Sequence, residues 1–315
     1  MQFRIFKNKE QKKRIERWFG RQSVNLTMLF TRFLTLQRAR SFAWILGNLG
    51  FYLVLRQRRA AIHNINLIYG REKSKKELQE MARSTFIHAS CFGWEMLYLY
   101  AHGLAKGKPQ NLVKTVEGLQ HLKTAFGRGR GVIGLTAHLG NFTLLGSKLN
   151  SLGFPNTAIM RQLKDPKLEK LFSTIRGDFK QQWIPKLPVS RAIRESITWL
   201  RQGKLLVLYM DQRSGRGIKV DFMGIPTYTP TGAAVFALKT EAAVLPIVNV
   251  QDNSGYYKLI IGEEIPVVKT GRHKQDVAAN TLRFNQAIER YIRLYPDQWF
   301  WFHNRWKGEI IKEGQ

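Results

Sequence analysis

The sequence predicts an α/β fold in which helices flank a mostly parallel central sheet. Apolar runs of strand length, such as residues 132–136, 156–160 and 205–210, alternate with stretches of helix length. This spacing is typical of βαβ units, because parallel strands need a long crossover whereas a hairpin needs only a short turn. With 315 residues, of which 44% are hydrophobic, the chain can bury one sizeable core. We expect an α/β domain over residues 61–315 behind an N-terminal helical region over residues 1–60.

The N-terminal region combines interrupted apolar stretches with many cations. Residues 24–36 and 42–55 are apolar but broken by Thr, Arg or Asn, so they fall short of the roughly 18–20 uninterrupted apolar residues of a spanning helix. We expect membrane-associated helices that lie in the interface, with cations at the headgroups; a re-entrant segment or a tilted single pass is the alternative. The basic residues that flank these stretches are Lys7, Lys9, Lys12, Lys13, Arg14, Arg17, Arg21, Arg56, Arg58 and Arg59.

Two further helices are marked by their ends. Ser74 and Glu77 have the spacing of a capping box, which predicts a helix running toward Phe92. Its apolar positions recur at helical spacing, which favours core packing over a ligand site. Near the C-terminus, Asp276 and Pro296 bracket an amphipathic pattern, so we expect a helix that Asp276 opens and Pro296 ends.

The charge of the chain predicts an anionic partner. Lys and Arg number 51 against 22 Asp and Glu, a formal net charge of +29, which points to nucleic acid, anionic lipid or an acidic protein. The sequence has no helix-turn-helix, zinc-finger or RNP-like motif, and its cations lie beside apolar runs. We therefore expect a membrane surface rather than nucleic acid, with the folded domain on the cytoplasmic side.

Composition also argues against metal and cofactor sites. Cys91 is the only cysteine, which excludes an intramolecular disulfide and a cysteine-rich zinc site. No histidine pair has the spacing of a metal motif, and the glycines of residues 127–131 precede a strand, whereas those of a dinucleotide fingerprint follow one. We expect neither a metal nor a cofactor.

His138 stands where a buried strand ends and a helix begins. Residues 131–136 form the strand, Gly140 and Asn141 predict a turn, and an apolar helix follows. In parallel sheets, ligands bind beyond the carboxyl ends of the strands. A histidine at this edge suits a general base, although a structural histidine that caps the strand is the alternative.

Other strands end in polar residues too. The strand at 156–160 ends at Arg161, and the strand at 205–210 is followed by Asp211, Gln212 and Arg213. Since right-handed crossovers gather these ends at one edge, we expect His138, Arg161 and Asp211 to converge. The structural alternatives are a surface arginine and an acid that caps a turn.

Three separated segments carry a family resemblance. Residues 138–142, the run from Asp211 through 220–224 to Pro230, and the tail 296–307 resemble the late acyltransferases of lipid A biosynthesis, the lauroyl and myristoyl transferases of the bacterial inner membrane. The resemblance extends from about Phe42 to the C-terminus. It implies a glycerolipid-acyltransferase-like fold at the cytoplasmic face of the inner membrane. The implied reaction moves a fatty acyl group from an acyl-carrier-protein or coenzyme A thioester to a glycolipid hydroxyl, by default that of a lipid A precursor.

The family pattern after the histidine is H-x-x-x-x-[DE], and this chain has Thr143 at the acidic position. A neutral hydroxyl does not stabilise an imidazolium by charge. We expect Asp211 to substitute for the missing acid, with Glu95 as the second candidate. The remaining alternatives are a base that works with less assistance and a pseudoenzyme or scaffold that kept the fold.

The resemblance implies the following roles. His138 takes a proton from the acceptor hydroxyl, while helix amides after Gly140, or Arg161, stabilise the oxyanion; Arg161 binding a lipid phosphate is the alternative. In the tail, alternating aromatic residues predict an extended segment in which Trp299 and Trp301 pack. Residues 222–226 suit an apolar loop near the acyl chain, and a turn that uses Gly224 and Pro226 is the alternative. The residues that we assign to substrate binding are Gly140, Asn141, Thr143, Gln212, Arg213 and Arg305.

Overall fold

The computed structural model describes residues 2–102, 109–163, 165–178 and 182–307. At the start of the chain it describes the backbone but not the side chains of residues 2–10, 12, 13 and 16. The predictions on Lys7, Lys9, Lys12 and Lys13 therefore lie outside the described side chains.

Four helices precede the sheet: α1 (Gln2–Thr31), α2 (Leu36–Leu53), α3 (Leu55–Tyr69) and α4 (Lys75–Ala101). The capping box is confirmed, because the Ser74 hydroxyl accepts from the amide of Glu77 and the Glu77 carboxylate accepts from the amide of Ser74. The other three helices all pack against α4. Across the described residues, every helix is too short or too polar to cross a bilayer. The predicted division at residue 60 falls within α3.

Strands and helices then alternate along the chain as far as β5, after which β6 and β7, and later β8 and β9, follow without a helix between them. The strands are β1 (Val113–Glu117), β2 (Val132–Thr136), β3 (Asn156–Met160), β4 (Gln182–Pro185), β5 (Leu205–Tyr209), β6 (Ile218–Phe222), β7 (Ile225–Thr229), β8 (Ala243–Gln251) and β9 (Tyr257–Ile261). The helices are α5 (Leu119–Gly127), α6 (Thr143–Ser151), α7 (Pro166–Asp178), α8 (Val189–Arg201), α9 (Gly232–Thr240) and α10 (His273–Leu294).

Seven of the strands form the central sheet, in the order β1-β9-β8-β2-β5-β3-β4. The strands from β8 to β4 are mutually parallel, whereas β9 runs antiparallel to β8 and β1 follows the direction of β9. The predicted α/β class and the mostly parallel sheet are thereby confirmed. Alternate residues of β2 enter two separate hydrophobic clusters, Ile133 and Leu135 in one and Val132 in the other, so both faces of the sheet are covered by apolar side chains.

Residues 222–226 belong to a hairpin, in which β6 and β7 meet at Met223 and Gly224, so the structure has the turn that was the alternative to an apolar loop. Both of these residues have positive φ, at 56° and 86°, as the tightest hairpin turns require. Two other local expectations were wrong. The C-terminal helix ends before Pro296 as predicted, but it begins at His273 and not at Asp276. Asp276 lies in its first turn and accepts hydrogen bonds from the preceding loop. In the tail, only Trp299 is paired with another strand-like residue, and turns follow it.

Candidate active site

The register between β2 and β5 places His138 beside Asp211. The two strands are parallel, and Thr136 at the end of β2 pairs with Tyr209 at the end of β5. His138 and Asp211 each follow two residues later, so they leave the sheet at the same level. The structure thus brings together two of the three residues expected to converge.

Asp211 is completely buried and accepts hydrogen bonds from three donors. The backbone amide of His138 donates to Oδ2 at 2.8 Å, and the indole Nε1 of Trp299 donates to the same oxygen at 2.9 Å. The imidazole Nδ1 of His138 lies 3.0 Å from Oδ1. Burial alone would raise the pKa of Asp211, but the charge and hydrogen bond of His138, the nearby His303 and the indole of Trp299 lower it below its ordinary value. The group is therefore a carboxylate at neutral pH.

This contact fixes the tautomer of His138. Because the carboxylate only accepts hydrogen bonds, Nδ1 carries a hydrogen, and in the neutral form of the ring the lone pair is therefore on Nε2. The side chain is 21% exposed, and its ring is surrounded by those of Phe142, Tyr209 and His303, with centroids 4.7 to 5.0 Å away. A basic nitrogen at a partly open, aromatic-walled position suits proton abstraction from a substrate hydroxyl.

The C-terminal tail holds the backbone on both sides of His138. The amide of Phe300 donates to the carbonyl of His138, and the amide of Gly140 donates to the carbonyl of Gln298, both at 3.1 Å. Gly140 has a φ of +54°, and a Cβ there would overlap the carbonyl oxygen of Asn249. Only glycine fits this close approach, so Gly140 shapes the loop.

A second buried carboxylate, Glu95 of α4, lies on the other side of the same loop. It accepts from Arg40 Nε at 2.6 Å, from Asn141 Nδ2 at 2.9 Å and from the Tyr257 hydroxyl at 2.6 Å. The Thr143 hydroxyl lies 2.6 Å from Asn141 Oδ1. Glu95 thus anchors the loop through Asn141, and Asp211, not Glu95, is the acid in contact with the imidazole.

The other candidate residues have different surroundings. Arg161 is exposed at the end of β3, across β5 from His138, and no described contact joins it to His138 or Asp211. Gln212 is exposed, and its Nε2 lies 3.3 Å from His138 Nε2. Arg213 is exposed and its guanidinium lies over the Tyr228 ring, 5.2 Å from the centroid.

Arg305 is completely buried, away from any surface that a headgroup could reach. Its guanidinium donates to the carbonyl of Tyr228 at 2.8 Å and to the Thr229 hydroxyl at 2.7 Å. It also lies over the Phe222 ring, 4.3 Å from the centroid. These contacts tie the tail to the β6–β7 hairpin and give Arg305 a structural role in place of the predicted binding role.

The predicted oxyanion donors at the start of α6 are partly occupied. The amide of Gly140 donates to Gln298, as described, and the amide of Leu144 donates to the carbonyl of Asn141 at 3.2 Å. These two amides already have backbone acceptors, so neither is free to bind an oxyanion in this conformation.

Two residues at this site escaped the sequence reasoning. Trp299 and His303 both lie in the tail 296–307, whose aromatic pattern predicts packing but no contact with Asp211. Trp299 is packed, at 1% exposure, and its indole also donates to Asp211. The resemblance of the tail to the family motif was the one indication that pointed to these residues.

Two imidazoles and one carboxylate at this site are also residue types that can bind a metal ion. Within the described residues, His138, Asp211 and His303 bring ligand atoms within 4.8 Å of one another. The carboxylate of Asp211 is fully buried and already accepts three hydrogen bonds, so only two imidazoles face an incoming ion. Catalytic zinc sites use three protein ligands. The arrangement fits proton transfer better than metal binding.

Comparison with known proteins identifies similar sequences. The sequence model of the family described as bacterial lipid A biosynthesis acyltransferase matches residues 6–308. A phosphatidylinositol mannoside acyltransferase of Mycobacterium tuberculosis is 26% identical over 204 residues, which cover 64% of this chain and 62% of the relative. The chain therefore aligns with about three fifths of the length of that relative.

Two further relatives have names from lipid A biosynthesis. A lipid A biosynthesis palmitoleoyltransferase of Escherichia coli is 28% identical over 204 residues, 63% of each chain. A lipid A biosynthesis acyltransferase of Haemophilus influenzae is 25% identical over 276 residues, 84% of this chain and 82% of the relative.

Proposed function

The family model matches residues 6–308, so the protein belongs to the bacterial lipid A biosynthesis acyltransferase family. We propose that it transfers a fatty acyl group from a thioester to a glycolipid hydroxyl. The observation that carries this proposal is the pair of contacts at His138. Its Nδ1 lies 3.0 Å from the buried carboxylate of Asp211, while its Nε2 lies on the far side of the ring, 3.3 Å from the side-chain nitrogen of the exposed Gln212. A base oriented in this way suits acyl transfer to an alcohol.

The residues present can move the proton that the proposed reaction requires, and each bond that forms is matched by one that breaks. His138 Nε2 takes the proton of the acceptor hydroxyl as its oxygen attacks the thioester carbonyl carbon. Asp211 stabilises the imidazolium that forms, as a buried carboxylate does in a hydrolase triad. The tetrahedral intermediate then breaks its carbon–sulfur bond. The thiolate receives the proton from His138 and leaves as a thiol, and the acyl group remains as an ester.

Arg161 is our proposed contact for substrate anions. It is exposed at the carboxyl end of β3, the strand next to β5. A guanidinium binds phosphate or a developing oxyanion through paired N–H donors. The nearby Asp165 is ion-paired with Arg21 of α1 at 2.7 Å, so the N-terminal helix lies close to this part of the site.

For the donor we propose an acyl carrier protein, with coenzyme A as the alternative, and for the acceptor a membrane glycolipid. The net charge of +29 favours an anionic partner. The names of the relatives support two acceptor classes, lipid A precursors and phosphatidylinositol mannosides. Lipid A precursor is the default because the family model carries that description.

We also propose that the N-terminal helices hold the protein on the cytoplasmic face of the inner membrane. Large apolar side chains on α1 and α2 are exposed, among them Trp18, Phe19, Trp44, Leu49 and Leu53. Cations accompany them, including the exposed Arg14, Arg17, Arg56 and Arg59. Such a combination suits helices that lie in the headgroup region.

Vesicle sedimentation tests this placement. The wild type is expected to sediment with anionic vesicles and to do so less in high salt. Replacing Trp44 and Leu49 together by Ser should release most of the protein. Leu294→Ser is a matched control, because Leu294 is 61% exposed but lies at the end of α10. The placement would be contradicted if the wild type stayed in the supernatant in the presence of vesicles and bound DNA in preference to them when both were offered.

The activity is tested by lipid mass spectrometry. Lipids from cells with and without the protein should differ by one ester-linked acyl chain on a glycolipid. Purified protein in anionic vesicles should then make the same product from one of the two donors. If the wild type acylates no lipid from either donor, the pseudoenzyme or scaffold function replaces the enzymatic one.

A further inference from the structure

Two neighbouring loops at the carboxyl edge of the sheet expose apolar side chains. Met160 at the end of β3 pairs with Pro185 at the end of β4, and the amide of Lys186 donates to the carbonyl of Met160 at 2.8 Å. The segments that follow these two strand ends therefore leave the sheet next to each other, at the edge where His138 also lies. We call their apolar surface the β3–β4 edge; it consists of Leu163, Leu187, Val189 and Ile193.

Such exposure is rare in the rest of the α/β domain. The four side chains are between 38% and 63% exposed. Among the described residues that follow α3, seven large hydrophobic side chains are exposed, and four of them form the β3–β4 edge. Val189 and Ile193 are four residues apart on α8, so they lie on the same face of that helix. A cluster of exposed apolar side chains marks a surface that contacts another molecule.

Cations surround these apolar side chains. Residues 161–163 and 185–194 contain no acid and four basic residues, all of them exposed: Arg161, Lys186, Arg191 and Arg194. The acids of the adjoining segments have basic partners, since Glu195 is paired with Arg191 at 2.6 Å and Glu169 with Arg176 at 2.6 Å. The β3–β4 edge is therefore both apolar and positively charged, which is the combination that binds an anionic lipid surface.

The N-terminal helix α1 reaches the same edge. Arg21 is ion-paired at 2.7 Å with Asp165, which lies two residues after Leu163. The exposed Trp18 is three residues before Arg21 and so lies on the same face of α1. The β3–β4 edge thus adjoins a helix whose apolar side chains we place in the headgroup region. This continuity favours the bilayer over an acidic protein as the molecule that covers the edge.

We propose that the β3–β4 edge is a membrane contact in addition to the N-terminal helices, and that its apolar side chains insert into the headgroup region of an anionic bilayer. The strand order places β3 two strands and β4 three strands from β2, which is roughly 10–15 Å along the edge. His138 then faces the lipid surface, and an acceptor lipid reaches the imidazole without leaving the bilayer. Only this consequence rests on the proposed acyl transfer.

A fluorescent probe of membrane depth tests the contact. In the full chain with Cys91→Ala, an environment-sensitive dye is attached to Leu163→Cys or to Leu187→Cys. We expect vesicles of phosphatidylcholine and phosphatidylglycerol to shift the dye emission to the blue, and doxyl-labelled phosphatidylcholine to quench it. Gln202→Cys is the matched control, because Gln202 is exposed at the other end of α8, about 20 Å away for a helix of this length. Its dye should stay in water.

A second variant tests whether the apolar side chains hold the edge in the bilayer. Replacing Val189 and Ile193 together by Ser in the labelled Leu187→Cys protein should remove most of the blue shift and most of the quenching. Vesicles of phosphatidylcholine alone should give a smaller blue shift than the anionic vesicles, because the cations then have no anionic headgroups to bind. Circular dichroism checks that the variants are folded.

Three results would overturn the inference. They are equal quenching at positions 187 and 202, absence of quenching at both 163 and 187, and unchanged quenching when Val189 and Ile193 are replaced. A blue shift without vesicles, on adding acyl carrier protein or on concentrating the protein, would assign the edge to that protein or to a second copy of this chain. If the dye is quenched but the wild type transfers no acyl group, the proposed function fails and the membrane contact stands, so the two failures are distinguishable.

Discussion

Two buried carboxylates, Asp211 and Glu95, contact the loop that contains His138, and their partners differ. Each is at most 1% exposed and each accepts three hydrogen bonds. Glu95 is paired with Arg40, whose guanidinium is always charged, whereas the charged partner available to Asp211 is a titratable imidazole. The ion pair between α2 and α4 therefore holds the loop through Asn141, while Asp211 is placed to respond when His138 gains a proton. The nature of the partner, more than burial, therefore distinguishes the carboxylate that we propose as catalytic from the structural one.

The largest effect that separates the two acids is expected from Asp211→Asn. The amide keeps the size of the side chain but loses the charge that stabilises an imidazolium, and its N–H group disfavours a hydrogen on Nδ1. We expect kcat to fall by about 10³- to 10⁴-fold, with KM little changed. Steady-state acyl transfer in vesicles measures this, and circular dichroism checks the fold. An Asp211→Asn enzyme with most of its rate would place the base elsewhere.

The corresponding change at the other carboxylate, Glu95→Gln, should lower the stability of the fold more than it lowers the rate. It leaves the guanidinium of Arg40, whose side chain is 14% exposed, without its counter-charge, and for a fully buried pair this costs about 3–5 kcal/mol at most. We expect a lower urea midpoint, and a loss of kcat far smaller than in Asp211→Asn. The double variant Arg40→Met with Glu95→Gln should recover part of the stability. If Glu95→Gln kept the wild-type midpoint but abolished kcat, the two carboxylates would not differ in the way described.

The comparison also shows which parts of the site the sequence predicts. Strand ends and the spacing of βαβ units were enough to place His138 and Asp211 at one edge, because parallel neighbours in register bring equivalent positions together. The role of Arg305 was not predictable from its charge, since its burial depends on a hairpin formed more than 70 residues earlier. The contact between Trp299 and Asp211 likewise joins residues far apart in the chain. Such contacts depend on how the tail folds back, and local patterns do not encode that.

A pH experiment extends the comparison to His303, the second histidine near Asp211. His303 has an ordinary pKa of 6.5 and a pKa of about 4 in the fold. Between these values the unfolded chain binds a proton that the folded chain excludes, so the free energy of unfolding decreases as pH falls from 6.5 toward 4. Urea titrations across this range should show a smaller decrease for His303→Gln than for the wild type. An equal decrease in both would mean that His303 is not held neutral by burial.

The smallest effect is expected at the position where the family has its acid. Thr143→Ala removes a hydroxyl that contacts Asn141 and has no charge to offer His138. We expect kcat to change by no more than about fivefold and stability by about 1 kcal/mol. Measuring kcat for Thr143→Ala and for Asp211→Asn in the same assay checks this. If kcat fell as far in Thr143→Ala as in Asp211→Asn, position 143 would carry the role that we assign to Asp211.

The central claim is that the imidazole at position 138 removes the proton from the acceptor hydroxyl. The most direct measurement is the initial rate of labelled acyl transfer from the thioester donor to glycolipid, for the wild type and for His138→Ala in identical vesicles. His273→Ala, which removes an exposed imidazole at the start of α10, controls for the substitution itself. We predict a loss of at least about a thousandfold in His138→Ala and wild-type rates in His273→Ala. Transfer by a folded His138→Ala protein within about tenfold of the wild-type rate would contradict the account.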